Sequence, residues 1–338
     1  MARNLAELLH GGPITATELE RVTDVLIFEQ GRPGPKFLKF TILLLLASAI
    51  ASFGLLGDSV AAVIGAMIVA PLMLPIMGLA FCIGLGDRRG ILNTLLVSLA
   101  GIAMAVAVGF VLTLPVAGLL QPQTIPQIMV RTSPHLLDLM AALATGVAGA
   151  FALSRRDVSD TLPGVAIAVS LVPPLANVGI LLAFSEPTLA AGSLLLFATN
   201  YVAILFTGAL VFVLMGFREA ASAPFDARTR RLAFTITITA LLLTTVPLAL
   251  TSERLIVTNL ITLRTGSLAR EWLRGSAYSL ESVDGETADG SVRLVLAGHG
   301  SLPPVDRLEQ RTRAVLSGRS LRLKVLQGRS FTLNPERS

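Results

Sequence analysis

The sequence predicts an all-α polytopic membrane protein of about seven transmembrane helices, built on an inverted 3+3 repeat, with a small C-terminal α/β domain. Three observations lead there. Of 338 residues, 53% are hydrophobic and only 14% charged, with a mean hydropathy of +0.73, whereas soluble domains carry about 25% charged residues. Apolar runs of roughly the 20 residues that cross a bilayer recur along the chain. They lie near 37–56, 60–84, 92–119, 135–153, 162–184, 188–216 and 232–251. The second and fifth runs share an unusual interior, in which prolines interrupt otherwise apolar sequence.

The first element is a polar N-terminal segment, residues 1–36. It lacks an early apolar stretch, so no cleavable signal peptide is expected and the first span directs insertion. Within it, residues 14–30, ITATELERVTDVLIFEQ, predict a short amphipathic helix. Thr15 and Glu18 have capping-box spacing, and Leu19, Val22, Val25 and Leu26 share a face. GRPGP then ends it. A membrane-entry helix is the expected role, with a lid as the alternative.

The transmembrane domain follows over 37–251, its two halves at 37–119 and 134–217 and an extra helix at 232–251. The remaining residues, 252–338, predict the order α-β-β-α-β. A helix covers 253–273, and strands near 277–284 and 291–297 flank DGETADG. Ser301, Pro303 and Pro304 open a helix to about 316, and LRLKVL alternates as a last strand. Two helices can then cover one sheet face. A sensor, a gate or an assembly collar would each fit.

Arginine and lysine placement predicts the orientation. With the N-terminus inside, inner segments hold Arg3, Arg21, Arg32, Lys36, Arg88, Arg89, Arg155, Arg156, Arg218, Arg228, Arg230 and Arg231. The outer short loops hold only Arg131. This asymmetry predicts a multi-pass protein of the inner (plasma) membrane with a cytoplasmic N-terminus. Seven spans would put the C-terminal domain on the periplasmic or extracellular side, and an interfacial seventh segment would leave it cytoplasmic.

Several function classes are disfavoured. The net charge of +5 comes without the stacking aromatics that nucleic-acid binding needs. The single cysteine, Cys82, excludes an internal disulfide. His10, His135 and His299 lack metal-ligand spacing, and GLGDRRG at 84–90 lacks dinucleotide-loop spacing. Neither a GxSxG elbow nor a Walker A loop occurs. No enzyme activity and no cofactor are expected. The expected partners are the lipid bilayer and a small ion or solute. The stripe Ala142, Gly146, Ala150 predicts close helix packing, within one chain or in a homo-oligomer.

The repeat carries the functional reading. Residues 64–81, IGAMIVAPLMLPIMGLAF, and 167–184, IAVSLVPPLANVGILLAF, align without gaps at an offset of 167 − 64 = 103. They match at seven of eighteen positions, Pro71 with Pro174 among them. Three crossings separate the two segments, so they run in opposite directions. Paired interruptions in two such halves point to a midplane site or pathway. Backbone groups freed in hydrocarbon are tolerated only where protein or a water-filled cavity satisfies them. Proline kinks met by neighbouring helices are the bland alternative.

Candidate lining residues are Pro71, Pro75, Pro173 and Pro174, with Ser170 and Asn177 bracketing the second pair, and Asn200 and Tyr201 in the sixth span beside Thr199. Asn93, Thr94 and Ser98 lie early in the third span. Asp58 is expected to cap the second span or to form a cation-attracting mouth. Asp138 suits the start of the fourth span, and Glu186 a solvated loop. No ionisable residue occupies the middle of spans two or five, which argues against a carboxylate proton relay. The expectation is therefore transport of an ion or small solute, in a channel-like mode before a carrier mode. The alternative is a membrane sensor or scaffold whose C-terminal domain binds a ligand or partner.

ASAIASFGLLGDSVAAVIGAMIVAPLMLPIMGLAF, with SLVPPLANVGI and TNYVAILFTGALVFVLMGF, resembles the prokaryotic uncharacterised hydrophobic domain family (domain of unknown function 389) over about residues 40–217. The resemblance implies an integral membrane module of no established activity. It implies nothing about the C-terminal domain.

Overall fold

Apolar sequence becomes helix in a bilayer because each backbone N–H must find its acceptor within the chain. The computed structural model describes residues 14–28, 34–155, 171–221, 226–284, 291–316 and 319–327. It divides into two units, 1–249 and 250–338. In chain order the helices are α1 Ala16–Leu26, α2 Pro35–Leu56, α3 Val60–Val69, α4 Met73–Leu85, α5 Arg88–Thr113, α6 Pro126–Met129, α7 Leu136–Ser154, α8 Val172–Ala183, α9 Pro187–Leu214, α10 Phe217–Ala220 and α11 Ala227–Trp272.

Five helices are each long and apolar enough to cross a membrane: α2, α5, α7, α9 and the Ala227–Val246 part of α11. The pair α3 and α4, bent by 47°, makes a sixth. The protein is thus mostly helical and multi-pass. Of the expected fifth span only the part from Leu171 falls among the described residues, so seven spans are not reached there.

Local chemistry sets the helix ends. The Thr15–Glu18 capping box forms as read, with Thr15 N–H donating to Glu18 Oε2 at 2.8 Å and Glu18 N–H to Thr15 Oγ1 at 3.3 Å. His135 N–H likewise donates to Asp138 Oδ2 at 2.8 Å and starts α7. Asp58 does not cap α3. It sits in the left-handed region at φ 50°, and Ser59 takes the cap by accepting Ala62 N–H at 3.3 Å.

α4 packs against α5 and α9, α8 packs against the same two, α2 lies on α5, and α7 lies on α9. Small residues permit the close crossings. A Cβ added at Gly146 would come within 2.9 Å of the Ile204 backbone, and Ala142 and Ala150 are fully buried. The small-residue stripe of α7 therefore packs on α9 of the same chain. At Gly179 of α8 an added Cβ would stand 2.6 Å from Phe110 N of α5. The core gathers Leu44, Leu72, Ile76, Phe81, Leu175 and Ile204. Leu38, Phe53, Leu92, Leu96, Val111 and Leu243 stay exposed on the outside, as lipid-facing residues do.

In the second unit β1 Tyr278–Asp284, β2 Val292–Gly298, α12 Val305–Leu316 and β3 Leu321–Gln327 follow the end of α11. The sheet runs β1-β2-β3, with β1 antiparallel and β3 parallel to β2. The parallel pair needs a crossover, which α12 supplies. Leu294 and Leu296 pack with Ala269, Trp272 and Leu308, so two helices cover one sheet face as the pattern predicted. The expected span at 232–251 and helix at 253–273 are one element, α11, with no break between them.

Candidate functional site

The bend between α3 and α4 follows from Pro71. Having no N–H, it leaves the Met67 carbonyl without its helical donor, and it pushes Ala70 out of the helical region to ψ 120°. α3 ends there. Pro75 takes the third position of α4, where the carbonyl one turn back, that of Pro71, accepts Leu74 N–H at 3.1 Å instead. Pro173 and Pro174 take the second and third positions of α8. A proline in a first helical turn removes only an N–H that would lack a partner anyway. These prolines therefore interrupt helices rather than kink through-going ones: Pro71 ends one helix, and Pro75, Pro173 and Pro174 lie in the opening turns of others. Leu72, Met73, Val172 and Leu175 bury these two starts within the bundle.

Around the starts lie neutral polar groups. Ser98 and Thr199 are fully or almost fully buried, with hydroxyls that make no hydrogen bond among the described residues. Tyr201 stacks its ring beside Phe197 at 5.6 Å, and its hydroxyl is directed toward Ser98 on α5. Asn200 is buried on the same helix. Ser170 lies outside the described residues.

Two expected lining residues do different work. Asn177 is fully buried and donates its amide to the Ile128 carbonyl at 3.0 Å and to Ser193 Oγ at 2.8 Å. Asp58 accepts Gln127 N–H at 3.1 Å. Both therefore hold α6, the short helix between α5 and α7, whose Ile128 is fully buried. Gln123 Nε2 donates to Glu186 at 2.7 Å at the same end, so this exposed carboxylate has a partner. Arg131 closes the α6 turn onto the Gln127 carbonyl, and its burial lowers the guanidinium from its ordinary value.

The opposite end carries a feature the sequence only half revealed. Val22 and Leu26 of α1 are fully buried, and Phe28 nearly so. A Cβ at Gly78 of α4 would lie 2.7 Å from the Leu26 carbonyl oxygen, so only glycine lets α1 seat there. Asn93 of α5 donates to the Phe28 carbonyl at 3.0 Å. Arg21 donates to the Leu153 carbonyl at 3.0 Å, filling an open acceptor at the end of α7. Val25, expected on the buried face, is 43% exposed. The apolar stripe and capping box signalled the helix; nothing near them in sequence signalled its seat.

The architecture defines a multi-pass helical membrane protein with two proline-bearing half-helices in its core. The family model described as Domain of unknown function (DUF389) matches residues 67–206, a stretch that holds both half-helices. An uncharacterized protein of Methanocaldococcus jannaschii is 29% identical over 177 residues, 52% of this chain and 53% of that protein. The chain thus spans about half the length of the curated relative it matches. No solved structure matches.

Proposed function

We propose that the membrane module passes an ion or small solute along a path lined by α4 and α8 and by the hydroxyls of Ser98 and Tyr201. The observation that carries this reading is the pair of helix starts, at Met73 and Val172, inside an apolar bundle. Such starts leave backbone groups and helix-end partial charges where no charged side chain stands.

The helix contacts that an inverted repeat would produce support it. α4 touches α5 and α9, and α8 touches α9 and α5, so each half-helix contacts the last helix of its own half and that of the other. The contact of α2 with α5 recurs as that of α7 with α9. The arginine asymmetry supports a cytoplasmic N-terminus in the inner membrane. The neutral lining favours a channel-like mode.

A second reading, a sensor whose C-terminal domain binds a ligand, is favoured by a cavity of about 230 Å³ in that domain, lined by Thr262, Gly266, Arg270, Glu281 and Ser282. Flux from proteoliposomes tests the first reading. Pro75→Ala and Pro174→Ala should alter rate or selectivity at near-normal expression. Absence of flux for every ion and small solute tried would favour the sensor.

A further inference from the structure

Two of the short helices outside the main bundle, α1 and α6, have matching positions. α1 precedes the first span of one half, and α6 precedes the first span of the other. α1 ends at Leu26 and α6 at Met129, and 129 − 26 = 103 is the offset at which Pro71 and Pro174 align. Each seats buried side chains at one end of the bundle: Val22 and Leu26 from α1, Ile128 from α6. Each is held by an asparagine amide that donates to a backbone carbonyl. Asn93 reaches Phe28 O at 3.0 Å, and Asn177 reaches Ile128 O at 3.0 Å. Each rests on a half-helix, α1 on Gly78 of α4 and α6 on Asn177 of α8.

We propose that α1 and α6 are paired gates, one at each mouth of the path, and that the structure holds both shut. This rests on the transport reading and adds how the path is regulated. The seats are built to release. Each keeps buried polar atoms without a partner among the described residues, Arg21 Nε at α1, and Asn177 Oδ1 and Arg131 Nε at α6. An unmet buried group offsets part of the gain from closing, which keeps the open state within thermal reach. The gates share no residue, so one can open while the other stays shut. A cavity of about 620 Å³ beside α1, lined by Thr17, Glu20, Arg21, Asp24 and Lys36, gives that helix a solvated flank.

Thiol accessibility tests this without any flux. Ser98→Cys, placed in a Cys82→Ser background, is probed in oriented vesicles with a membrane-impermeant methanethiosulfonate applied to one side at a time. Ser98 is 1% exposed, so the parent should label slowly from both sides. Asn93→Ala should speed labelling at least tenfold from the α1 side only, and Asn177→Ala from the α6 side only. Arg21→Ala and Ser193→Ala serve as second variants should either asparagine variant fail to fold. Fast labelling of the parent, or equal effects of both variants from one side, would overturn the gates. One-sided labelling without solute flux would keep the gates and sink the transport reading.

Discussion

Asn177→Ala offers the sharpest test of how α6 is held. The substitution removes two hydrogen bonds from a fully buried site, to Ile128 O at 3.0 Å and Ser193 Oγ at 2.8 Å. Such bonds are worth about 0.6 kcal/mol each in membrane bundles and about 1 kcal/mol in soluble domains. The fully buried Ser193 hydroxyl is then left without its partner among the described residues, at a cost of about 1–3 kcal/mol, while the Ile128 carbonyl keeps the Arg131 N–H at 3.2 Å. Losing the unpartnered Oδ1 returns part of that. The net effect is a local opening easier by about 2 kcal/mol, or roughly 30-fold at 1.4 kcal/mol per decade. Amide hydrogen exchange across 127–130 reads this directly and should quicken by about that factor. Asn177→Leu keeps the volume while losing the donors, and should quicken exchange similarly. Unchanged exchange in both variants would refute the reasoning. An effect in Ala alone would assign the role to packing.

Three further outcomes follow from other parts of the chain. Gly78→Ala should push the Leu26 carbonyl away and loosen α1 by about 1–3 kcal/mol, read as faster proteolysis after Arg21. Asp226 accepts from Thr229 Oγ1 and from the Arg228 and Thr229 N–H groups, chiefly the first, which holds its carboxyl below the usual range. Its stabilisation is therefore present above the ordinary carboxylate range and lost as pH falls through the depressed value, so exchange protection at 227–230, corrected for the intrinsic rate, should fall in acid and lose that pH dependence in Asp226→Asn. Leu308→Ala empties a fully buried position under the sheet and should cost the C-terminal domain about 2–5 kcal/mol, measured in urea by emission of the single Trp272.

Much of the fold was written locally. The Thr15–Glu18 box, the Asp138 helix start, the alternation in β2 and β3 and the small-residue stripe of α7 each depend on neighbours a few residues away. They form as the spacing indicates. The departures have physical causes of longer reach. Proline chemistry marks an interruption, yet whether the helix bends or begins anew depends on how the adjoining turns pack. The roles of Asn177 and Asp58 were hidden because their partner, α6, lies 49 and 69 residues away. The seat of α1 depends on Gly78 and Asn93, which no local pattern links to Leu26 or Phe28. α11 was split because hydropathy falls near residue 251, but polar residues lower lipid affinity without ending a helix.

The central claim is a path between α4 and α8 that opens at both ends. Its most direct test is a planar-bilayer recording of the purified chain and of the double variant Asn93→Ala/Asn177→Ala under salt gradients. The account predicts discrete current steps, more frequent in the double variant, with a reversal potential set by the permeant ion. A folded double variant that stays silent across several salts and pH values would contradict it.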